Sequence, residues 1–356
     1  NKNGLIETVA SGIPRIDFKN NTKGALLLEP SRTNSIANSN FQSGWSILSG
    51  GSFIYNQSIS PDGTQNAVTL TGNGSASNAP YIGVSVANGT SYAFSVFVKP
   101  ILVTSFQMIG FSSEAGGTVK FDLSNGTVIT ESSDDLSSAK IEDYGNGWYR
   151  CSVIATADAS GTALFGFNSE LNINGNNFYI YGAQFEEGSY ATSLINTSGS
   201  AVTREADVCN NGANSEVIGQ TEGVIFLDVD TTNFDGDQRL AISDGTTSNR
   251  IALRLSGTNI QLSVVIGSST QVSMSGSASL GNRYKIAGAY KENDFVLYIN
   301  GVLANSDNNG SISGVFNRLG MDKGTAAGNS FYNPIKDLQI YNTRLSNSEL
   351  ASLTTI

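Results

Sequence analysis

Along most of the chain apolar and polar residues alternate every second position, the period that sends successive side chains to opposite faces of a β-strand. Tyr92-Ala93-Phe94-Ser95-Val96-Phe97-Val98 reads as one such strand, ended by Lys99-Pro100. Trp148-Tyr149-Arg150-Cys151-Ser152-Val153-Ile154, Ala163-Leu164-Phe165-Gly166-Phe167 and Phe178-Tyr179-Ile180-Tyr181 continue the series. Further along, Gly223-Val224-Ile225-Phe226-Leu227-Asp228-Val229-Asp230, Arg250-Ile251-Ala252-Leu253-Arg254-Leu255, Tyr284-Lys285-Ile286-Ala287-Gly288-Ala289-Tyr290 and Phe295-Val296-Leu297-Tyr298-Ile299 repeat it. Turn chemistry separates the runs at Ser60-Pro61-Asp62-Gly63-Thr64, Gly145-Asn146-Gly147 and Asn300-Gly301, where Pro presets φ and Gly supplies positive φ. Helical periodicity occurs only near the C-terminus, where Ser346 with Glu349 at the third following position predicts a capping box. The pattern predicts an all-β protein made of two antiparallel β-sandwiches.

Four regions follow from the same pass: an extended arm with two short strands over 1–36, a first sandwich over 37–208, a linker over 209–221 and a second sandwich over 222–356. The linker is marked by Asn210-Asn211-Gly212-Ala213-Asn214, and the two sandwiches do not read as copies of each other. The arm holds two unusual segments, Pro14-Arg15-Ile16-Asp17-Phe18 and Gly24-Ala25-Leu26-Leu27-Leu28-Glu29-Pro30-Ser31-Arg32-Thr33-Asn34. Pro30 forbids a helix interior between Glu29 and Arg32. With Asp17 and Arg15 these charges are expected to form a structural clasp that fastens the arm to the first sandwich.

Composition narrows the chemistry. Of 356 residues 39% are hydrophobic, enough for buried cores, and only 14% are charged. Gly, at 39 residues, and abundant Ser, Thr and Asn fit many short strands joined by turns. A net charge of −10, with no cluster of Lys and Arg, disfavours nucleic-acid binding. The absence of histidine removes Ser-His triads, histidine bases and His-ligated zinc together. Cys151 shares its face with Tyr149 and Val153 and reads as a buried thiol, and two cysteines do not make a disulfide framework. No apolar run approaches the ~20 residues of a membrane span, and the first residues lead into no signal-peptide core, so membrane insertion is not expected.

The segments 14–18 and 24–34 resemble the junction of phage tail-fibre and tail-spike proteins and of related secreted bacterial proteins, in which this pattern introduces a β-sandwich. Ser60-Pro61-Asp62-Gly63, Gly147-Trp148-Tyr149-Arg150 and Tyr181-Gly182-Ala183-Gln184-Phe185-Glu186-Glu187-Gly188 are similar to successive signatures of a carbohydrate-binding-module-like jelly roll in phage structural proteins, and 193–207 to its exit segment. The hairpin through Asn300-Gly301 and the stretch from Lys336 to Leu350 resemble laminin-G and concanavalin A-like domains. The resemblance implies a jelly roll followed by a concanavalin A-like sandwich, with a further strand and turn ahead of residue 1. It also implies a non-enzymatic fibre or spike component, extracellular or on the virion surface, that assembles as a homotrimer and presents loops to a cell-surface glycan. Three rivals remain: a purely architectural role through contacts with other virion proteins, the accessory region of a secreted polysaccharide-degrading enzyme, or an intrinsic polysaccharide lyase or glycoside hydrolase.

Candidate chemistry is sparse. Carboxylate pairs for glycan hydrolysis exist at Asp134-Asp135, Glu186-Glu187, Asp228/Asp230 and Asp235/Asp237. Adjacent members in a strand face opposite sides, one of Glu186 and Glu187 is expected to pair with an arginine, and Asp228 and Asp230 read as solvated carboxylates opposite lysines. Tyrosine-based elimination needs no histidine, but no spacing singles out a tyrosine for it. Calcium is the metal the loops can serve, through Asp235, Asp237 and Asp307, although ordinary Asn/Asp turns account for the same residues. Stacking platforms for sugar rings are sought at Trp45, Tyr55, Tyr81, Tyr144 and Tyr332, with Trp148 and Trp45 also readable as core.

Overall fold

A computed structural model describes residues 1–19, 21–47, 51–73, 79–112, 115–131, 135–168, 174–232, 236–325 and 328–356. It is built from antiparallel sheets with one short helix, and the chain divides into two compact units, 1–8 with 31–205 and 9–30 with 206–356. Among the described residues no helix is long and apolar enough to cross a membrane.

In the first unit one six-stranded sheet runs in the order Thr127–Thr130, Ala115–Asp122, Ser105–Ser112, Gly161–Asn168, Pro80–Val86, Ser46–Ile47. The other runs Leu136–Asp143, Tyr149–Thr156, Ser91–Pro100, Asn174–Glu187, Gln65–Asn73, Ser52–Ile59. Phe94, Val96, Cys151 and Val153 of the second sheet share a core with Phe106, Met108, Phe165 and Phe167 of the first, so the unit is a β-sandwich. The chain alternates between the sheets as a jelly roll does. The far side of the second sheet is covered as well: Ala67, Phe97, Trp148 and Tyr181 form a small cluster against which Ile6 and Leu194 pack.

The turn at Ser60–Thr64 carries a titratable hub. The Asp62 carboxylate accepts hydrogen bonds from Ser60 Oγ (2.7 Å), Thr64 N (2.8 Å), Thr64 Oγ1 (2.7 Å), Asn66 Nδ2 (2.9 Å) and Tyr181 Oη (2.9 Å). Burial pushes this carboxyl upward, but the bonds from Thr64, Ser60 and Asn66 outweigh it and hold it at about 2. Because the folded value lies below the unfolded one, the stabilisation is present above about pH 4 and disappears as pH falls toward about 2. Thermal melts between pH 5 and 2 should therefore show an acid loss that Asp62→Asn flattens. A variant with the same acid slope as the parent would remove Asp62 from this role.

In the second unit a seven-stranded sheet runs Ile16–Asp17, Ala25–Leu26, Ile335–Tyr341, Glu222–Asp230, Arg283–Lys291, Phe295–Ile299, Val302–Asp307. It faces a five-stranded sheet, Ser269–Ser277, Asn259–Ile266, Arg250–Ser256, Asp237–Ser243, Arg318–Gly320. Ile225, Leu227, Val229, Ile286 and Leu297 meet Leu240, Leu253, Leu262 and Val264 between them. On the outer face of the larger sheet, Val224, Phe226, Ala287 and Ala289 receive Leu350 of the helix Asn347–Thr354. That helix begins with the expected capping box at Ser346 and Glu349.

Two segments are placed otherwise than the pattern of the chain predicts. The expected arm is shared out: 9–30 adds a strand pair to the larger sheet, with Leu26 opposite Ile335, whereas Arg32–Asn34 pairs with Val202–Arg204 in the first unit. The expected linker 209–221 is part of the second unit, because its few apolar residues are anchors. Ile218 is buried in the core with Cys209 and Ala213 packed alongside, and Tyr290 Oη donates to Gly219 O at 2.9 Å. Both cysteines are free thiols, Cys151 fully buried and pushed upward by that burial.

Candidate functional site

The strand Glu222–Asp230 is buried on both faces along most of its length. Its odd members, Ile225, Leu227 and Val229, fill the core, so Val224, Phe226 and Asp228 point to the outer face. The helix covers Val224 and Phe226 and ends before it reaches Asp228. Register decides what lies beside them, since directly opposed residues in an antiparallel pair share a face. Asp228 stands opposite Lys285 on one side and Asp337 on the other, and Phe226 opposite Ala287 and Gln339.

A cleft of about 620 Å³ opens over these residues, lined by Asn21, Lys23, Phe226, Asp228, Arg283, Lys285, Lys336, Asp337, Gln339 and Leu353. That volume is within the ~300–1,000 Å³ usual for small-molecule sites. Asn21 and Lys23 come from the turn joining the two short strands Ile16–Asp17 and Ala25–Leu26. Local bonds set this turn: Asp17 Oδ1 accepts from Lys19 N (2.9 Å), Asn21 Oδ1 from Lys23 N (3.0 Å), and Asn21 Nδ2 donates to Gly24 O (2.9 Å). Gly24 has φ +82°, and a Cβ there would collide with Ile16 and Phe18, so only glycine fits.

The charges in the cleft differ in how far they are committed. Asp228 is 4% exposed and is held by Arg283 in a fork, Nε to Oδ1 at 2.8 Å and Nη2 to Oδ2 at 2.5 Å. That bond with Asp228 raises the Arg283 guanidinium above its ordinary value. Lys336 Nζ pairs with Asp230 Oδ2 at 2.8 Å, so Asp228 is a buried, arginine-paired carboxylate rather than a solvated one, whereas Asp230, its side chain 39% exposed, is a solvent-facing carboxylate beside a lysine. Lys285 Nζ meets only a carbonyl, Thr355 O at 2.8 Å, and Lys23 is exposed with no carboxylate partner among the described residues. Gln339 Nε2 donates to Asp337 Oδ2 (2.5 Å) and Gln339 Oε1 accepts from Tyr341 Oη (2.5 Å). Burial and the nearby Asp337 charge raise the Tyr341 phenol, which keeps it a donor. The lining therefore holds four cations against two carboxylates, and its apolar part is Leu353 with the edge of the buried Phe226.

None of the aromatic candidates lines this cleft. Trp45 packs against Phe41 and Phe167 with ring centroids at 4.8 and 5.6 Å, and its Nε1 donates to Asn38 O at 3.1 Å. Tyr55 is 40% exposed, with its hydroxyl donating to Phe41 O at 3.0 Å. Tyr81 is half-buried in the strand Pro80–Val86, Tyr144 sits edge-on to Phe97 at 4.9 Å, and Tyr332 packs against the core of the second unit. Of the calcium candidates, Asp235 lies outside the described residues. Asp237 belongs to a strand and is held by Arg239 (2.6 Å) and Arg254 (2.6 Å), two cations that oppose a third, and their bonds and charges bring its carboxyl down although burial raises it. Asp307 Oδ1 accepts from Asn309 N at 2.9 Å in its own turn. Among the described residues no three acidic or cysteine side chains cluster as a metal site.

The clasp is also arranged differently. Glu29 Oε2 takes Arg15 Nη1 at 2.8 Å, and Arg15 also grips Asp207 through Nε (3.1 Å) and Nη2. All three belong to the second unit, Arg32 to the first, where it lies over the Tyr190 ring at 5.6 Å. The chain passes from one unit to the other at Pro30 and Ser31, which separates Glu29 from Arg32. Glu186 is fully buried and bound by Gln184 Nε2 (2.6 Å), Thr192 N (2.7 Å) and Thr192 Oγ1 (2.6 Å). Asp134 lies outside the described residues, and Asp135 Oδ2 accepts from Gly116 N at 2.7 Å.

Residues 228–351, within the second unit, match the sequence model of the concanavalin A-like lectin/glucanases superfamily. A search of curated protein sequences finds no match. Among solved structures the chain is similar to a heptameric SAP-like pentraxin from Limulus polyphemus, at 12% identity over 40% of this chain and 73% of that one, with a TM-score of 0.33. It is also similar to a putative carbohydrate-binding protein from Bacteroides ovatus (9% identity, 90% and 83% covered, TM-score 0.29). A third is the CBM22-1–CBM22-2 tandem of Xyn10C from Paenibacillus barcinonensis (11%, 94% and 100%, 0.29).

Proposed function

We propose that this chain is a non-enzymatic glycan-binding protein whose binding site is the outer-face cleft of the second unit, and that it acts outside the cell as part of a fibre or spike, on a virion in particular. The observation that carries the reading is a cleft with charged and amide groups around Leu353, inside a segment that matches a superfamily that includes lectins. A sugar offers both surfaces such a cleft needs, apolar ring faces and hydroxyls that require oriented partners. The carboxylate pairs support binding over hydrolysis, because Asp228, Asp230, Asp237 and Glu186 are each engaged by the fold. The virion setting and the homotrimer rest on the motif resemblance of the first unit.

The test is a glycan array probed with the full chain, in calcium and in EDTA. The expected result is a defined set of bound glycans that is the same in both buffers, with no shortened chains released. No bound glycan in either buffer would sink the reading, and release of cleaved product would replace it with an enzymatic one.

A further inference from the structure

The whole chain carries a net charge of −10, yet the cleft lining is locally cationic. Two effects compete over a charged ligand: long-range repulsion by the protein and short-range attraction by the lining. At physiological ionic strength charges are screened beyond about 8 Å, so the groups within the cleft decide. Of its four cations, Arg283 and Lys336 are matched by Asp228 and Asp230. Lys285, whose bond is to a neutral carbonyl, and Lys23 are left to meet a ligand. Asp337 and Gln339, one an acceptor and the other both donor and acceptor, stand on the strand Ile335–Tyr341, between the hairpin of Lys23 and the strands of Asp228 and Lys285, and suit hydroxyls.

We infer that the cleft takes an acidic saccharide, bearing carboxylate or sulfate groups, with Lys23 and Lys285 on separate anionic groups along it and Asp337 and Gln339 on the hydroxyls between them. The inference rests on the glycan-binding reading and adds the ligand class. Binding should weaken with salt, since the two lysines provide point charges that ions screen. Lys23 sits on an exposed turn and makes no side-chain bond among the described residues, so its replacement leaves folding intact.

Isothermal titration of the full chain with three hexasaccharides, a polygalacturonate fragment, a heparin fragment and neutral maltohexaose, tests this. The expected result is binding of at least one acidic probe, weakened about tenfold or more by Lys23→Glu and again by Lys285→Ala, a loss of about 1.4 kcal/mol per decade. The two acidic probes distinguish carboxylate from sulfate as the recognised group. Unchanged acidic binding in both variants, or equal binding of the neutral probe, overturns the inference. If only neutral glycans bind, on this panel or on the array, the glycan reading stands and the acidic class falls. If no glycan of either kind binds, both fall.

Discussion

Replacing Arg318 by methionine is expected to destabilise the second unit by about 3–5 kcal/mol, because it strands a buried carboxylate. Arg318 and Asp322 have side chains only 7% and 5% exposed and are joined by Nη1–Oδ1 at 3.1 Å and Nη2–Oδ2 at 2.5 Å. Arg318 Nη2 also donates to Asn210 Oδ1 at 2.6 Å, and Asp322 Oδ1 accepts from Gly324 N at 2.6 Å. The pair thus fixes the segment after Cys209 against the strand Arg318–Gly320, with Met321 N donating to Cys209 O at 3.0 Å. A second change identifies the cause. In Arg318→Met with Asp322→Asn the buried group is neutral and still accepts from Gly324, so at least half of the loss should return. Urea unfolding of the parent, single and double variants measures this. A single variant within about 1 kcal/mol of the parent, the range of an exposed pair, would show that the pair is solvated.

Arg15→Met is expected to cost about 2–4 kcal/mol, somewhat less because the cluster is nearer solvent. Arg15 serves two carboxylates at once, Glu29 and Asp207, whose side chains are 9% and 23% exposed. Burial alone would lower the Arg15 guanidinium, and its bonds with Asp207 and Glu29 outweigh that and raise it. Without it two carboxylates face each other, and Glu29 N still donates to Asp207 Oδ2 at 2.7 Å, which keeps them together. Because Leu27 N donates to Arg15 O at 2.9 Å, the same residue closes the base of the hairpin that carries Lys23. The variant should therefore lose glycan affinity as well as stability. Arg15→Lys should recover only part of either, since an ammonium lacks the fork that grips two partners. Loss of stability with affinity untouched would separate the clasp from the cleft.

The sequence pattern showed the strands, the turns and the capped helix because these are local. Tyr92 to Val98, Asn300-Gly301 and Ser346 with Glu349 need only neighbours a few residues away to declare themselves. Pairing partners are not local: nothing in Ala25 and Leu26 announces that Leu26 will lie opposite Ile335. The segment 209–221 looked like a linker because its polar residues outnumber its anchors, although one buried Ile218 suffices to dock it. The cleft was hidden for the same reason. Its residues come from five separated stretches, around 21–23, 226–228, 283–285, 336–339 and 353, that only strand pairing and the docked helix bring together. The alternation did carry a trace of it, since Asp228 continues the face of Val224 and Phe226 and Lys285 begins that of Ala287. Asp228 was visible as a carboxylate on a strand, but its arginine was not, and the aromatic candidates lie elsewhere in the fold, with Trp45, Tyr144 and Tyr332 packed against cores.

The central claim is that a glycan occupies the outer face of the seven-stranded sheet. Amide chemical-shift mapping of the full chain titrated with the acidic hexasaccharide that binds best tests it most directly. The account predicts shifts concentrated at Asn21, Lys23, Asp228, Lys285, Asp337 and Gln339. Shifts centred instead on the Tyr332 loop, on the turn at Asp307 or on the first unit, with the cleft residues unmoved, would contradict it.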